Sequence, residues 1–70
     1  MKEITASMAG TVLNILIKEG EEITAGQTVA VLESMKMEIP VDSTFSGKVG
    51  EVKVAVGDFV NEGDSLLTVE

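Results

Sequence analysis

The sequence predicts an all-β fold, on three observations. Val, Ile, Leu and Thr are frequent along the whole chain, glycines recur every few residues, and no apolar run keeps a helical period. This pattern is typical of short strands joined by tight turns. A chain of 70 residues buries only about 60% of the surface that its unfolded form exposes. We therefore expect a single small domain, residues 1–70, with a thin core.

The chain contains two similar copies of one pattern of strands and turns. When it is laid on itself with a shift of 37 residues, residues 10–33 align with residues 47–70 without a gap. Three glycines then coincide, since Gly10, Gly20 and Gly26 fall on Gly47, Gly57 and Gly63. Extending the overlay gives two halves, 1–33 and 38–70, joined by a link, 34–37. We expect the halves to pack their apolar faces together about a pseudo-twofold axis, as a closed sandwich with few open edges.

Each copy has a glycine-punctuated turn, at residues 17–26 and again at 54–63. An apolar residue is followed by a glycine and an acidic residue, then by another apolar residue and a second glycine. Glycine supplies backbone conformations that other residues reach only at a cost in free energy. Replacing Gly20 or Gly57 with valine is therefore expected to damage the fold.

The link between the copies predicts a hairpin with Met35 and Lys36 at its centre. A strand that ends at Glu33 and another that starts at Glu38 or Ile39 leave only these residues for the turn. Favoured two-residue turns need positive φ and usually recruit Asn-Gly or Asp-Gly, so Met-Lys is a poor local choice. Residues held against local preference often mark a functional site. The twofold axis also predicts that Met1 and Glu70 are neighbours at the opposite end of the domain.

The charge balance argues against two classes of partner. Five lysines stand against twelve carboxylates, a formal net charge of −7, which repels nucleic acid and anionic lipid. The two aromatic residues, Phe45 and Phe59, do not form a stacking platform for bases. No apolar stretch is long enough to span a membrane and the N-terminus has no signal-peptide pattern, so we expect a soluble, cytoplasmic protein.

The residue types also argue against an enzyme. The sequence has no histidine and no cysteine, so its serines lack a partner for a triad and no thiol nucleophile or thiol metal site exists. The acidic residues at 58–64 lack the order of a calcium loop, and we expect them to form a solvated turn without a metal. Glu19, Glu21 and Glu22 are expected to form a solvated face.

The stretch Glu33-Ser34-Met35-Lys36-Met37 and the chain around it resemble the biotinyl domain of biotin-dependent carboxylases, a family that shares its fold with lipoyl domains. The family pattern runs A-P-M-x-G-x-V, V-x-x-G-D-x-V-x-x-G-Q-x-L, E-A-M-K-M, then a second G-x-V and V-x-x-G-D-x-V. The similar segments here are residues 6–12, 17–29, 33–37, 47–49 and 54–60. Ser7 replaces the proline of the family pattern, which bears on a local turn and not on the fold.

The resemblance implies a flattened barrel of two antiparallel sheets, a barrel-sandwich hybrid, with biotin joined by an amide to Lys36. It implies a carrier that takes a carboxyl group from a biotin carboxylase to a carboxyltransferase. Met35 and Met37 would give a biotin protein ligase an adaptable apolar grip, and Glu33 belongs to the same motif. Because Met1 directly precedes the domain, we expect a free-standing carrier, and we expect a monomer.

Three other interpretations of Lys36 remain open at the level of sequence. A lipoyl carrier would use the same lysine, although lipoyl domains usually have Asp and a small residue where Met35 and Met37 stand here. A structural or docking module would leave Lys36 unmodified, as an ordinary solvated lysine. An autonomous lysine enzyme would need desolvation or a neighbouring cation to activate the amine, whereas the flanking Glu33 and Glu38 act in the opposite direction.

Overall fold

The computed structural model describes residues 2–70, and every helix or strand that it contains in this range is a β-strand. The predicted all-β class is confirmed. The strands are β1 (Lys2–Thr5), β2 (Gly10–Ile15), β3 (Glu22–Ile23), β4 (Thr28–Ser34), β5 (Met37–Asp42), β6 (Gly47–Val52), β7 (Phe59–Val60) and β8 (Ser65–Val69). No helix in residues 2–70 is long and apolar enough to cross a membrane.

The strands form two antiparallel four-stranded sheets, with the orders β1-β8-β6-β3 and β5-β4-β2-β7. The predicted two-sheet architecture is therefore confirmed. The sequence did not predict how the halves share the sheets. Each sheet takes its two central strands from one half and both edge strands from the other. Because the halves interlock in this way, neither can complete a sheet alone.

The strand register repeats between the two halves, residue pair for residue pair. Leu32 lies opposite Ile39, and 37 positions away Val69 lies opposite Lys2. The same holds for Val12 with Leu32 and Val49 with Val69, and for Gly10 with Val60 and Gly47 with Ile23. Met1, which the sequence places beside Glu70, lies outside the described residues.

The core lies between the two sheets and is built from both halves. Antiparallel strands with one face in the core alternate buried and exposed side chains, as β1 does around Ile4. The largest fully buried side chains are Leu32, Leu66, Leu67, Val12, Val29, Val49 and Val69. Five of these seven lie on the central strands β4 and β8, which therefore carry most of the core.

The glycine-punctuated turns adopt the conformation for which glycine is suited. Gly20 and Gly57 have φ of 88° and 96°, and nothing lies within 4 Å of a Cβ built at either position. The glycines are therefore needed for their backbone angle and not for space.

Polar side chains in these turns accept hydrogen bonds from the backbone, and Asp58, Glu62 and Asp64 are all exposed, as expected for a solvated turn. Asp58 Oδ2 accepts a hydrogen bond from Ala55 N at 2.9 Å, and Asp64 Oδ2 accepts one from Asn61 N at 2.8 Å. In the first half, Glu21 and Gln27 do the same for Lys18 N and Thr24 N, each at 3.1 Å. Each side chain satisfies a backbone donor three residues earlier, as short polar side chains often do in turns.

Candidate functional site

The β4–β5 hairpin has Met35 and Lys36 as its two central residues, as the sequence predicts. The closing pair is Ser34 with Met37, so each strand runs one residue further toward the turn than expected. Met35 has a φ of 54° and Lys36 a φ of 65°, and these two are the non-glycine residues with positive φ among residues 2–70. Positive φ at both central positions is the signature of the tight hairpin turn that matches strand twist. The strand pairing imposes this turn on two residues that do not favour it locally.

The side chains around the turn are directed away from the domain. Met35 is 90% exposed and Met37 is 62% exposed, and Lys36 is also exposed. The methionines do not fold back to fill gaps in the core, where apolar side chains are almost wholly buried. Their exposure leaves these flexible apolar side chains outside the core, where they are accessible to another molecule.

The base of the hairpin is firmly held by the core. Moving down from the turn, Glu33 lies opposite Glu38 and the next pair is Leu32 with Ile39. Leu32 is fully buried and Ile39 packs against the core from the edge strand. Two residue pairs of the hairpin therefore separate the turn from the pair Leu32–Ile39, which packs in the core.

Gly10 lets the neighbouring strand approach the end of β4 closely. A Cβ atom at this position would lie 2.6 Å from the carbonyl oxygen of Glu33, which no side chain can tolerate without a shift of the backbone. Glu33, two residues before the turn, is therefore supported from β2 as well as from β5. This close approach was not predicted, although the match of Gly10 with Gly47 in the repeat was a signal for it.

The other lysines lie in different settings. The Lys2 amine lies 5.0 Å from the centroid of the Phe45 ring, within range of a cation–π contact. Lys48 lies opposite Glu22 in the β3–β6 pair. Lys18 and Lys53 follow strand ends in exposed segments, without exposed methionines beside them.

The hairpin brings together all four residues singled out from the sequence, Glu33, Met35, Lys36 and Met37.

A compact β-sandwich that displays a lysine on an imposed turn is the geometry of a carrier domain, in which the lysine is an attachment point. A family profile described as biotin-requiring enzyme matches residues 2–70. A biotin/lipoyl attachment protein of Bacillus subtilis (strain 168) is 55% identical over 91% of this chain and 88% of its own length. The chain belongs to the biotin/lipoyl attachment family.

Other relatives come from carboxylase systems. A biotin carboxyl carrier protein of Streptococcus mutans serotype c is 38% identical over 91% of this chain, which spans 49% of that protein. The crystal structure of Kluyveromyces lactis urea carboxylase matches 99% of this chain with a TM-score of 0.91 and 29% identity, over 6% of its own chain. The predicted family, fold and class of non-catalytic carrier are confirmed by these matches.

Proposed function

We propose that this protein is a biotin carrier, with biotin joined through an amide bond to Nζ of Lys36. The observation that carries the proposal is the exposed lysine at the centre of a turn with two positive φ angles, flanked by Met35 and Met37. Bound at Lys36, biotin would supply the group that holds a carboxyl in transit between a biotin carboxylase and a carboxyltransferase. The names of the carrier and carboxylase relatives support this role.

The residues of the hairpin fit a lysine that is modified by a separate enzyme. In this proposal a biotin protein ligase activates the carboxyl group of biotin and accepts the proton that the lysine amine loses as the amide forms. Amide formation removes the charge of Lys36 and takes the formal net charge from −7 to −8. Met35 and Met37 give the ligase apolar contacts on both sides of the amine.

The turn itself orients the attached group. Because both turn residues are held by the strand pairing, the lysine side chain leaves the domain from a fixed point and moves only by rotation about the bonds of its own four methylene groups.

The contacts with each enzyme must be weak and brief, and a high net charge favours a soluble carrier that exchanges partners. On the composition described above, we infer that the protein acts as a monomer in the cytoplasm.

Intact mass measurement of the protein purified from its own host, together with a streptavidin blot, tests the proposal. We expect a mass increase of one biotinyl group, which is lost in Lys36→Arg and retained in the matched variant Lys48→Arg. Biotin on the Lys36→Arg variant would overturn the assignment of the site. A mass increase of one lipoyl group would replace biotin with lipoate, and a native protein that is always bare would favour a structural module.

The expected compartment and oligomeric state have their own measurements. Fractionation of the host cells is expected to recover the protein with the cytoplasm, and sedimentation of the purified protein is expected to give the mass of one chain. Recovery with the membrane fraction or a stable dimer would contradict these expectations without affecting the attachment site.

A further inference from the structure

One outer face of the protein carries large apolar side chains that the core does not use. Phe59 is 66% exposed and Val56 is 62% exposed, and Leu13 and Leu16 are also exposed. Phe59 lies opposite Thr11 in the β2–β7 pair, and Val56 lies beside β2 because Gly57 N donates a hydrogen bond to the carbonyl oxygen of Val12 at 2.8 Å. We call Leu13, Leu16, Val56 and Phe59 the β2–β7 face.

The duplicated fold supplies an internal comparison for this face. At the equivalent positions, 37 residues away, the other sheet has Gly50, Lys53, Glu19 and Glu22. The backbone arrangement is the same, since Glu22 lies opposite Lys48 as Phe59 lies opposite Thr11. Gly20 N likewise donates to the carbonyl oxygen of Val49 at 2.8 Å.

The comparison shows that the fold does not require apolar residues on the β2–β7 face. The same strands and turns form in the other sheet with two glutamates and a lysine in place of Val56, Phe59 and Leu16. Gly50 is left out of this comparison, because a Cβ there would lie 2.7 Å from Thr68 Oγ1 and close packing therefore requires glycine. An exposed phenylalanine on a two-residue edge strand also favours unwanted association, which charged residues at edges usually prevent. Apolar residues that the fold does not need and that solubility disfavours are typical of a protein contact surface.

The β2–β7 face continues into the sheet that displays Lys36. In the order β5-β4-β2-β7, one row across the outer surface runs from Phe59 through Thr11 to Glu33 and Glu38. With strands about 4.8 Å apart, Phe59 is about 10 Å from Glu33 along this row. A protein that receives a group attached to Lys36 can therefore contact this face at the same time.

The charges beside the face select the kind of partner. Glu33 and Glu38 border it on the hairpin side and Asp58 precedes Phe59, in a chain of net charge −7. A second copy would bring like charges together, which is unfavourable. A partner with an apolar patch bordered by Lys and Arg would complement both the centre and the border of the face.

We propose that the β2–β7 face is the surface by which the loaded carrier docks on a carboxylase component, a biotin carboxylase or carboxyltransferase, that presents an apolar patch bordered by Lys and Arg. The naming of the component rests on the proposed function. Docking through the face and reaction at Lys36 are separate contacts on one sheet, so each can be removed without the other.

The test replaces the face with residues that the fold already accepts. The variant Val56→Glu/Phe59→Glu introduces the residues found at the equivalent positions 19 and 22. The variant Val56→Thr/Phe59→Thr removes the apolar contacts without adding charge. The matched control, Glu22→Phe, makes the reciprocal change on the other sheet, and Glu19 is kept because its Oε2 accepts a hydrogen bond from Val52 N at 3.2 Å. Thermal unfolding and intact mass first verify that each variant is folded and biotinylated.

Two rates are measured with biotinylated carrier, carboxylation by the purified biotin carboxylase and carboxyl transfer by the purified carboxyltransferase of the same host. The readout is the carrier concentration that gives half the maximal rate of each reaction. With at least one of them, we expect both face variants to raise this concentration tenfold or more, with the maximal rate within twofold of wild type. The control is expected to stay within twofold of wild type in both values. The wild-type concentration is also expected to rise with ionic strength.

Several results would overturn the docking proposal. An unchanged concentration for the face variants with both components, or no saturable reaction of the wild-type carrier with either, would exclude the face as the docking surface. Slower biotinylation of the face variants would assign the face to the ligase, and a wild-type dimer that dissociates in these variants would assign it to a second copy. In each of these cases biotin on Lys36 would still be found, so the proposed function would stand. A bare Lys36 would remove both proposals.

Discussion

Glu33 and Glu38 lie directly opposite each other across the hairpin, one pair below the residues that close the turn. Both side chains are exposed, and Lys36 is the cation that lies between them in the chain. Like charges that face each other on adjacent strands are destabilising, so this pair lowers the stability of the hairpin. The proposed attachment of biotin to Lys36 would remove the nearby positive charge and leave the two carboxylates with less compensation.

Removing one charge of this pair is expected to stabilise the protein. Glu38→Gln should raise the free energy of unfolding by roughly 0.2–1 kcal/mol at low salt, and the gain should shrink in high salt because the repulsion is screened. Urea unfolding at two salt concentrations measures both values. Glu62→Gln, in an exposed turn, is the control, and an equal gain there would show that the effect reflects net charge alone.

Glycine substitutions at the two methionines are expected to have opposite effects on stability. Met35 has positive φ, which costs a residue with a side chain about 1–2 kcal/mol, whereas glycine has no such cost. After the entropy that glycine adds to the unfolded chain, Met35→Gly should gain up to about 1 kcal/mol. Met37 begins strand β5, so Met37→Gly should destabilise the protein. Urea unfolding of both variants checks this, and a loss of stability in Met35→Gly would contradict it.

Polar substitutions of the same methionines are expected to slow biotinylation. Met35→Gln and Met37→Gln keep the length of the side chain but weaken the apolar contact with the ligase, and each should lower kcat/KM for the ligase about tenfold. Rates of biotin incorporation with purified ligase measure this. Leu16→Gln alters an exposed apolar residue beyond the far end of β2, where Leu16 N donates to the carbonyl oxygen of Val29, and it should leave the rate unchanged. Equal rates for all three variants would show that the ligase does not contact the methionines.

Substitutions at two glycines, Gly20 and Gly10, separate the effect of backbone conformation from that of close packing. Gly20 has open space around it, so Gly20→Ala should cost about 1 kcal/mol through its φ of 88°, and Gly20→Asn should cost less because asparagine tolerates this conformation. Gly10→Ala should cost more, because its Cβ would meet the carbonyl oxygen of Glu33 at 2.6 Å. Equilibrium unfolding ranks the three variants, and a larger loss for Gly20→Ala than for Gly10→Ala would contradict the structure.

Much of the fold and of the candidate site could be predicted because the signals are local or repeated. The coincidence of three glycines in the overlay indicated a duplication, and the duplication located the link that contains Lys36. The turn centre at Met35 and Lys36 followed from the apolar positions on both sides of it. The role of the carboxylates after Gly20 and Gly57 was missed, although the acidic residue recurs at the same place in both copies.

The sequence by itself determined the all-β class, the duplication, the place of the hairpin and the lysine at its centre, because periodicity, glycine spacing and charge are properties of the chain alone. Only the tertiary structure decided the exchange of edge strands between the halves, the carboxylate pair opposite each other below the turn, and the apolar β2–β7 face. These depend on which strands become neighbours across the molecule. The pairing of strands from different halves buries the apolar faces of both sheets at once, so it cannot be read from any local segment of the sequence.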